Sequence, residues 1–103
     1  MLFAAPKVIE TSVFAHLPDE LKLREATRHE WVESQPFGGP KRSLLEGPSF
    51  DKEGNLYCVD LVIGRVLKVT ADGEVTCLVD NIPGPNGLVM NKDETALYVA
   101  VTQ

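Results

Sequence analysis

Two stretches of this chain, 40 residues apart, carry the same pattern of residues. The segment from Glu46 to Cys58 recurs as the segment from Asn86 to Val99, with one residue inserted. Each copy begins with a polar residue before a glycine, passes through a polar turn and ends in Leu-Tyr and an apolar residue. A β-rich unit that recurs at this spacing is typical of β-propellers, in which each blade packs against its neighbours. The repeat therefore predicts an all-β fold.

Four β-rich runs follow one another in the first unit, and a turn signal separates each from the next. This alternation predicts a four-stranded antiparallel meander over residues 46–79. The strands are predicted at residues 47–51, 55–60, 65–70 and 74–79. The turns are predicted at residues 52–54, 61–64 and 71–73.

The chain divides into three parts by these patterns. Residues 1–43 form an N-terminal extension, residues 44–80 a first blade, and residues 81–103 the start of a second blade. A propeller of about 4–8 blades needs well over about 150 residues. We therefore expect a fragment of about one and a half blades plus the extension, marginally folded and prone to self-association. The apolar residues expected to stay only partly covered are Phe50, Leu56, Val59, Val66, Leu67, Val89, Leu97 and Val99.

The extension has weaker signals. Lys7 to Phe14 resembles an edge strand, of the kind that completes the last blade of a closed propeller. Good helix formers from Asp19 to Val32 predict a short helix, although their apolar residues do not form a clean stripe. Residues 35–40 are predicted to be a loop.

Charge and composition exclude several classes of function. The net charge is −5, and the ten Lys and Arg residues are scattered, which argues against a nucleic-acid partner. The chain has no secretory signal and no apolar stretch near the roughly 18 residues of a membrane span. We expect a cytoplasmic protein with no membrane partner, in which Cys58 and Cys77 are buried thiols rather than a disulfide or a metal pair.

The repeat aligns Glu46 with Asn86, each directly before a glycine that opens the first strand of its unit. The innermost strands of a propeller line its channel, so these two side chains should converge at one channel mouth. Carboxylate and amide oxygens are the ligands that Ca²⁺ and Mg²⁺ prefer. A metal site is one reading, and the other is that Asn86-Gly87 is a turn and Glu46 a solvated loop residue.

Other polar residues have ordinary structural readings. His16 and His29 are isolated, and no serine lies in a nucleophile-elbow motif. Asp51 and Asp93 are expected to cap hairpin turns, and Asp60 to have a structural role at the end of a strand.

The motifs around these positions resemble those of the family of gluconolactonase, regucalcin (senescence marker protein) and luciferin-regenerating enzyme. The resemblance covers residues 44–102, through Leu44-Leu45-Glu46-Gly47-Pro48 and Pro85-Asn86-Gly87-Leu88. It implies a six-bladed β-propeller with Glu46 and Asn86 as ligands of one divalent cation, Ca²⁺, Mg²⁺, Mn²⁺ or Zn²⁺. In that family the Asn-Gly motif usually follows several blades later, so Asn86 is either that ligand or a second-blade counterpart of it.

The resemblance also implies an activity, the metal-dependent hydrolysis of a small-molecule lactone. The family's general base is a later aspartate, to which no residue of this chain corresponds, so the catalytic and substrate-binding residues are unassigned and the fragment is expected to be inactive. The alternative is a non-catalytic β-propeller that binds a partner on its face, because propellers host unrelated functions.

Overall fold

A computed structural model describes residues 3–102. The two helical elements are a 3-10 turn at Asp19–Leu21 and a short helix, α1, at Glu30–Glu33. The six strands are β1 Leu45–Phe50, β2 Leu56–Asp60, β3 Arg65–Val69, β4 Val75–Val79, β5 Pro85–Met90 and β6 Leu97–Val101. The all-β class predicted from the repeat is confirmed.

The first four strands form one antiparallel sheet in the order β1-β2-β3-β4. This is the predicted meander, and its turns fall at the predicted places. Strands β5 and β6 form a second antiparallel sheet of two strands. Neither sheet closes on itself within residues 3–102.

The first hairpin of each sheet ends in a turn that one side chain organises. Asp51 Oδ1 accepts hydrogen bonds from the backbone N–H groups of Glu53 and Asn55, both at 2.9 Å. In the second sheet the equivalent residue is Asn91, whose Oδ1 accepts from two backbone N–H groups at 2.8 and 3.0 Å. The prediction for Asp51 is confirmed. The capping residue of the second turn is Asn91 and not Asp93, because the 40-residue repeat aligns Asn91 with Asp51.

The first sheet is covered on both faces near its centre. Strand β5 packs against β1 and β2 on the face that carries Val59 and Val66, which lie opposite each other in the register. Residues 13–17 of the extension lie over the other face, where they and the strands line an apolar cleft of about 240 Å³. The buried apolar residues are Val32, Cys58, Val59, Leu61, Val66 and Leu67.

This packing corrects part of the expectation for the apolar residues. Val59, Val66 and Leu67 are fully buried, because the second sheet and the extension supply neighbours that an isolated blade would lack. Phe50 and Val89 are exposed as expected. The same geometry corrects the prediction for the cysteines, since Cys58 is buried but Cys77 is exposed on β4. Both thiols are free, as predicted.

The extension differs most from its prediction. Residues 7–14 are exposed and form no strand within residues 3–102, so the strand that would complete a last blade stays a prediction. The helix predicted within residues 19–32 forms only in part, as the 3-10 turn and α1. Residues between these two elements form backbone hydrogen bonds with residues 41 and 42 instead. Leu23 N–H donates to the Arg42 carbonyl at 3.0 Å, and Thr27 forms an isolated antiparallel bridge with Lys41. The loop at 35–40 is confirmed. Neither helical element in residues 3–102 has the length or apolar character to cross a membrane.

Candidate functional site

The two sheets approach each other closely near the start of β1 and β5. A Cβ atom placed on Gly47 would lie 2.8 Å from the Gly87 Cα and 2.9 Å from the Leu88 nitrogen. Gly47 also has a φ of 62°, in the left-handed region that favours glycine. Each strand has a register shift at this point, between Glu46 and Ser49 in β1 and between Pro85 and Gly87 in β5. Such bulges re-aim side chains, here those of the residues before the two glycines.

The side chains of Glu46 and Asn86 meet at this approach. With its nitrogen toward Glu46, the Asn86 amide donates to Glu46 Oε1 at 3.1 Å and makes a shorter contact with Oε2. Both residues are half-buried. The predicted closeness of the two side chains is confirmed, and it follows from their matched places in the repeat, while their position on inner strands of a propeller stays a prediction.

The orientation of the Asn86 amide decides what this pair offers to a ligand. The hydrogen-bond network favours the nitrogen facing Glu46, since the reverse orientation brings the amide oxygen against the two carboxylate oxygens. Three oxygens in contact repel one another, but they are the donor set that hard divalent cations favour. Rotation of the Asn86 amide by half a turn therefore replaces the hydrogen bonds with three oxygen ligands, two from Glu46 and one from Asn86.

Within the described part of the chain, Glu46 has no basic partner to offset its charge. Among residues 3–102, no ion pair within 4.0 Å involves its carboxylate. Its contact at the site is the neutral Asn86 side chain. A half-buried carboxylate without a cation beside it is costly, and a bound cation would relieve that cost.

Asp60 and Arg65 form a buried ion pair at the same end of the first sheet. They are directly opposite in the register of β2 and β3, and their exposed fractions are 0% and 6%. Asp60 Oδ2 accepts from Arg65 Nη2 at 3.0 Å and Nε at 3.2 Å, and from the Ser43 hydroxyl at 2.7 Å. Asp60 Oδ1 accepts from the backbone N–H groups of Leu44 at 3.2 Å and Ile63 at 3.3 Å. The structural role predicted for Asp60 is confirmed.

This network also attaches the extension to the sheet. Arg65 Nη2 donates to the Leu21 carbonyl through a short contact, and Arg42 Nε donates to the Leu23 carbonyl at 2.6 Å. Sequence analysis singled out neither Arg65 nor Ser43. The available signal was an acidic residue ending one strand and a basic residue opening the next, since opposite charges at directly opposed positions stabilise antiparallel pairs.

The remaining sequence candidates lie away from this site or lack partners for it. Among residues 3–102, no group of three or more His, Cys, Asp and Glu side chains is arranged to hold a metal. His16 is exposed beside the apolar cleft, and His29 precedes α1. Burial raises the pKa of the Cys58 thiol, which lowers its thiolate fraction and its reactivity.

Comparison with protein-family models, with curated proteins and with solved structures finds no match for this chain.

Proposed function

We propose that this chain contributes the cation ligands Glu46 and Asn86 to a divalent-metal-dependent lactone hydrolase of the gluconolactonase type. The observation that carries the proposal is the contact between these two side chains at the start of β1 and β5. The motif resemblance, which adds the six-bladed propeller, supports it from the sequence.

The donor chemistry at the site fits such a cation. Glu46 supplies a carboxylate and Asn86 an amide oxygen, and Ca²⁺ and Mg²⁺ bind oxygen ligands of both kinds. Two side chains do not complete a coordination sphere of about six oxygens, so the remaining ligands come from water, substrate or other residues of the protein. When bound, a divalent cation supplies Lewis acidity, which polarises a lactone carbonyl and makes a water molecule more acidic.

The chain's own residues have separate tasks in this proposal. Glu46 provides the negative charge of the site, and its freedom from basic partners keeps that charge available. Asn86 provides a neutral oxygen by turning its amide group. The proton acceptor that the resemblance assigns is a later aspartate without a counterpart here, so no residue of this chain is proposed as the general base.

Cation binding by the protein that carries this chain tests the proposal. Calorimetric titration with Ca²⁺, Mg²⁺, Mn²⁺ and Zn²⁺ should detect one site, and turnover of aldonolactones should require the cation. Glu46→Gln should raise the Kd at least tenfold, equivalent to about 1.4 kcal/mol. Glu53→Gln, which changes an exposed glutamate on the β1–β2 turn, is the matched control and should leave the Kd unchanged. An unchanged Kd in Glu46→Gln contradicts the assignment of Glu46.

A non-catalytic β-propeller binding module is the second candidate. Among the described residues, no three acidic, His or Cys side chains are arranged around a metal position, and this favours the binding module. The same titrations separate the candidates, because a binding module of this kind would take up no cation at Glu46 and would turn over no lactone with any of the four metals.

A further inference from the structure

The two residues before β1 are attached to the end of β2 at three points, two of them on the Asp60 carboxylate. The Ser43 hydroxyl donates to Asp60 Oδ2 at 2.7 Å, and the Leu44 N–H donates to Oδ1 at 3.2 Å. The Leu44 carbonyl in turn accepts from the N–H of Leu61 at 2.9 Å. These contacts hold the two residues before β1 against the end of β2.

Glu46 follows this attachment by two residues, at a place where the β1–β2 ladder is irregular. Its register partner is Val59, and the pairing shifts between Glu46 and Ser49. Ladder hydrogen bonds therefore constrain the backbone of Glu46 less on its C-terminal side. The attachment to Asp60 supplies the constraint on its N-terminal side.

Asp60 is itself held rigidly. It is fully buried, it receives two guanidinium nitrogens of Arg65, and it accepts the N–H of Ile63 at 3.3 Å. Removing two charges from water costs several kcal/mol per ion, and Asp60 needs five donors, two of them from Arg65, so the pair is a costly means of only joining β2 to β3 and to the extension. Its cost is better explained if the pair has a second task, the placement of an adjacent group.

We propose that Asp60, acting through Ser43 and the backbone of Leu44, is a positioning residue for the Glu46 carboxylate, so that Glu46 stays in reach of Asn86. This inference rests on the proposed function for its cation-binding consequence. Its geometric part, the placement of Glu46 against Asn86, stands without a cation. A positioning group of this kind strengthens a site by holding its ligands in place before binding.

The test uses Ser43→Ala, which removes one hydroxyl while leaving the buried Asp60–Arg65 pair intact. Ser43→Thr restores the hydroxyl and should restore the behaviour of the unaltered protein. Thr70→Ala is the matched control, because the Thr70 hydroxyl accepts the N–H of Glu74 at 3.1 Å in the β3–β4 turn, at the other end of the sheet from Ser43 and Glu46. Chemical unfolding of each variant checks that Ser43→Ala and Thr70→Ala lose comparable stability.

Two readouts separate positioning from stability. The NMR signals of the Asn86 side-chain amide should shift in Ser43→Ala and stay in place in Ser43→Thr and Thr70→Ala, whether or not a cation is present. The Kd for Ca²⁺ should rise about tenfold to a hundredfold in Ser43→Ala alone, the loss typical when a group that orients a metal ligand is removed.

The outcomes distinguish this inference from the proposed function. If the unaltered protein binds none of Ca²⁺, Mg²⁺, Mn²⁺ and Zn²⁺, the proposed function fails, and the Asn86 signals alone decide the positioning role. Unmoved Asn86 signals in Ser43→Ala overturn the positioning role, as does an equal shift in Thr70→Ala.

Discussion

At the scale of single residues, the close approach of β1 to β5 depends on the lack of a side chain at Gly47. Gly47 combines a left-handed backbone conformation with a neighbouring backbone 2.8 Å from where its Cβ would lie. Gly87, whose Cα is that neighbour, has open space around its own Cβ position. The two glycines occupy equivalent places in the repeat, yet only Gly47 is required by geometry.

Gly47→Ala should therefore be much more damaging than Gly87→Ala. The left-handed conformation costs alanine about 1–2 kcal/mol, and the clash with β5 adds to this, so we expect the free energy of unfolding to fall by more than about 2 kcal/mol. Gly87→Ala should change it by less than about 1 kcal/mol. Denaturant unfolding of both variants measures the difference, and equal losses would show that the sheets do not pack as described.

At the scale of elements, the hairpin turn between β1 and β2 depends on the charge of Asp51. Besides the two backbone N–H groups, its Oδ2 accepts from the Asn55 side-chain amide and from the Tyr57 hydroxyl, both at 3.0 Å. The hydrogen bond from the Asn55 side chain, followed by those from backbone N–H groups and Tyr57, holds the pKa of Asp51 below its ordinary value of 3.8. Burial and the bond to Asp51 raise the pKa of Tyr57.

The lowered pKa of Asp51 predicts a pH dependence of stability. In the window below pH 3.8 the unfolded chain binds more protons at this residue than the folded chain does. Its contribution is thus complete above that value and is lost as the pH falls through the folded pKa. Between about pH 5 and about pH 2.5 the unaltered chain should lose more stability than Asp51→Asn, which keeps one acceptor but no charge.

Denaturant unfolding across this pH range makes the comparison. Asp72→Asn, at an exposed aspartate on the β3–β4 turn, is the control and should follow the unaltered chain. Parallel loss of stability in Asp51→Asn and the unaltered chain would mean that Asp51 is not the titrating group.

At the scale of the whole molecule, the two sheets cover each other on one side only. Val89 and Tyr98 are register partners on the second sheet, and they are 59% and 63% exposed. Strand β4 is an edge of the first sheet and carries the exposed side chains of Leu78 and Val79. Exposed apolar patches and unpaired strand edges favour association.

We expect the 103-residue chain to self-associate through these surfaces. Val89→Glu combined with Tyr98→Lys replaces the apolar pair by opposite charges that suit adjacent strands, and it should shift the chain toward monomer. Val8→Lys, which changes an equally apolar residue outside both sheets, should leave association unchanged. Size-exclusion chromatography with light scattering measures the mass, and a monodisperse unaltered monomer would contradict the expectation.

The sequence by itself determined the strands, the turns and the pairing of Glu46 with Asn86. Alternating β-rich runs and glycine-marked turns are local signals, because they report which residues share a strand face and where φ becomes positive. The repeat extended this local information to a distant pair, since Glu46 and Asn86 hold equivalent positions in the two repeated units and lie side by side in the structure. It also aligned Asn91 with Asp51, a correspondence that the turn prediction at Asp93 overlooked.

Only the tertiary structure decided the arrangement of the extension, the burial of the first sheet and the network around Asp60. Residues 7–14 have the composition of a strand, but a strand requires a neighbouring backbone, and no local pattern states whether one is in reach. Val59 and Leu67 are buried by residues far away in the chain, and Cys77 is exposed because its strand lies at an edge. The Asp60 carboxylate accepts hydrogen bonds from Ser43 and from Arg65. Folding brings these separate segments of the chain together at one side chain. Contacts of this kind depend on the sum of packing and desolvation over the whole molecule, and a local sequence pattern does not encode that sum.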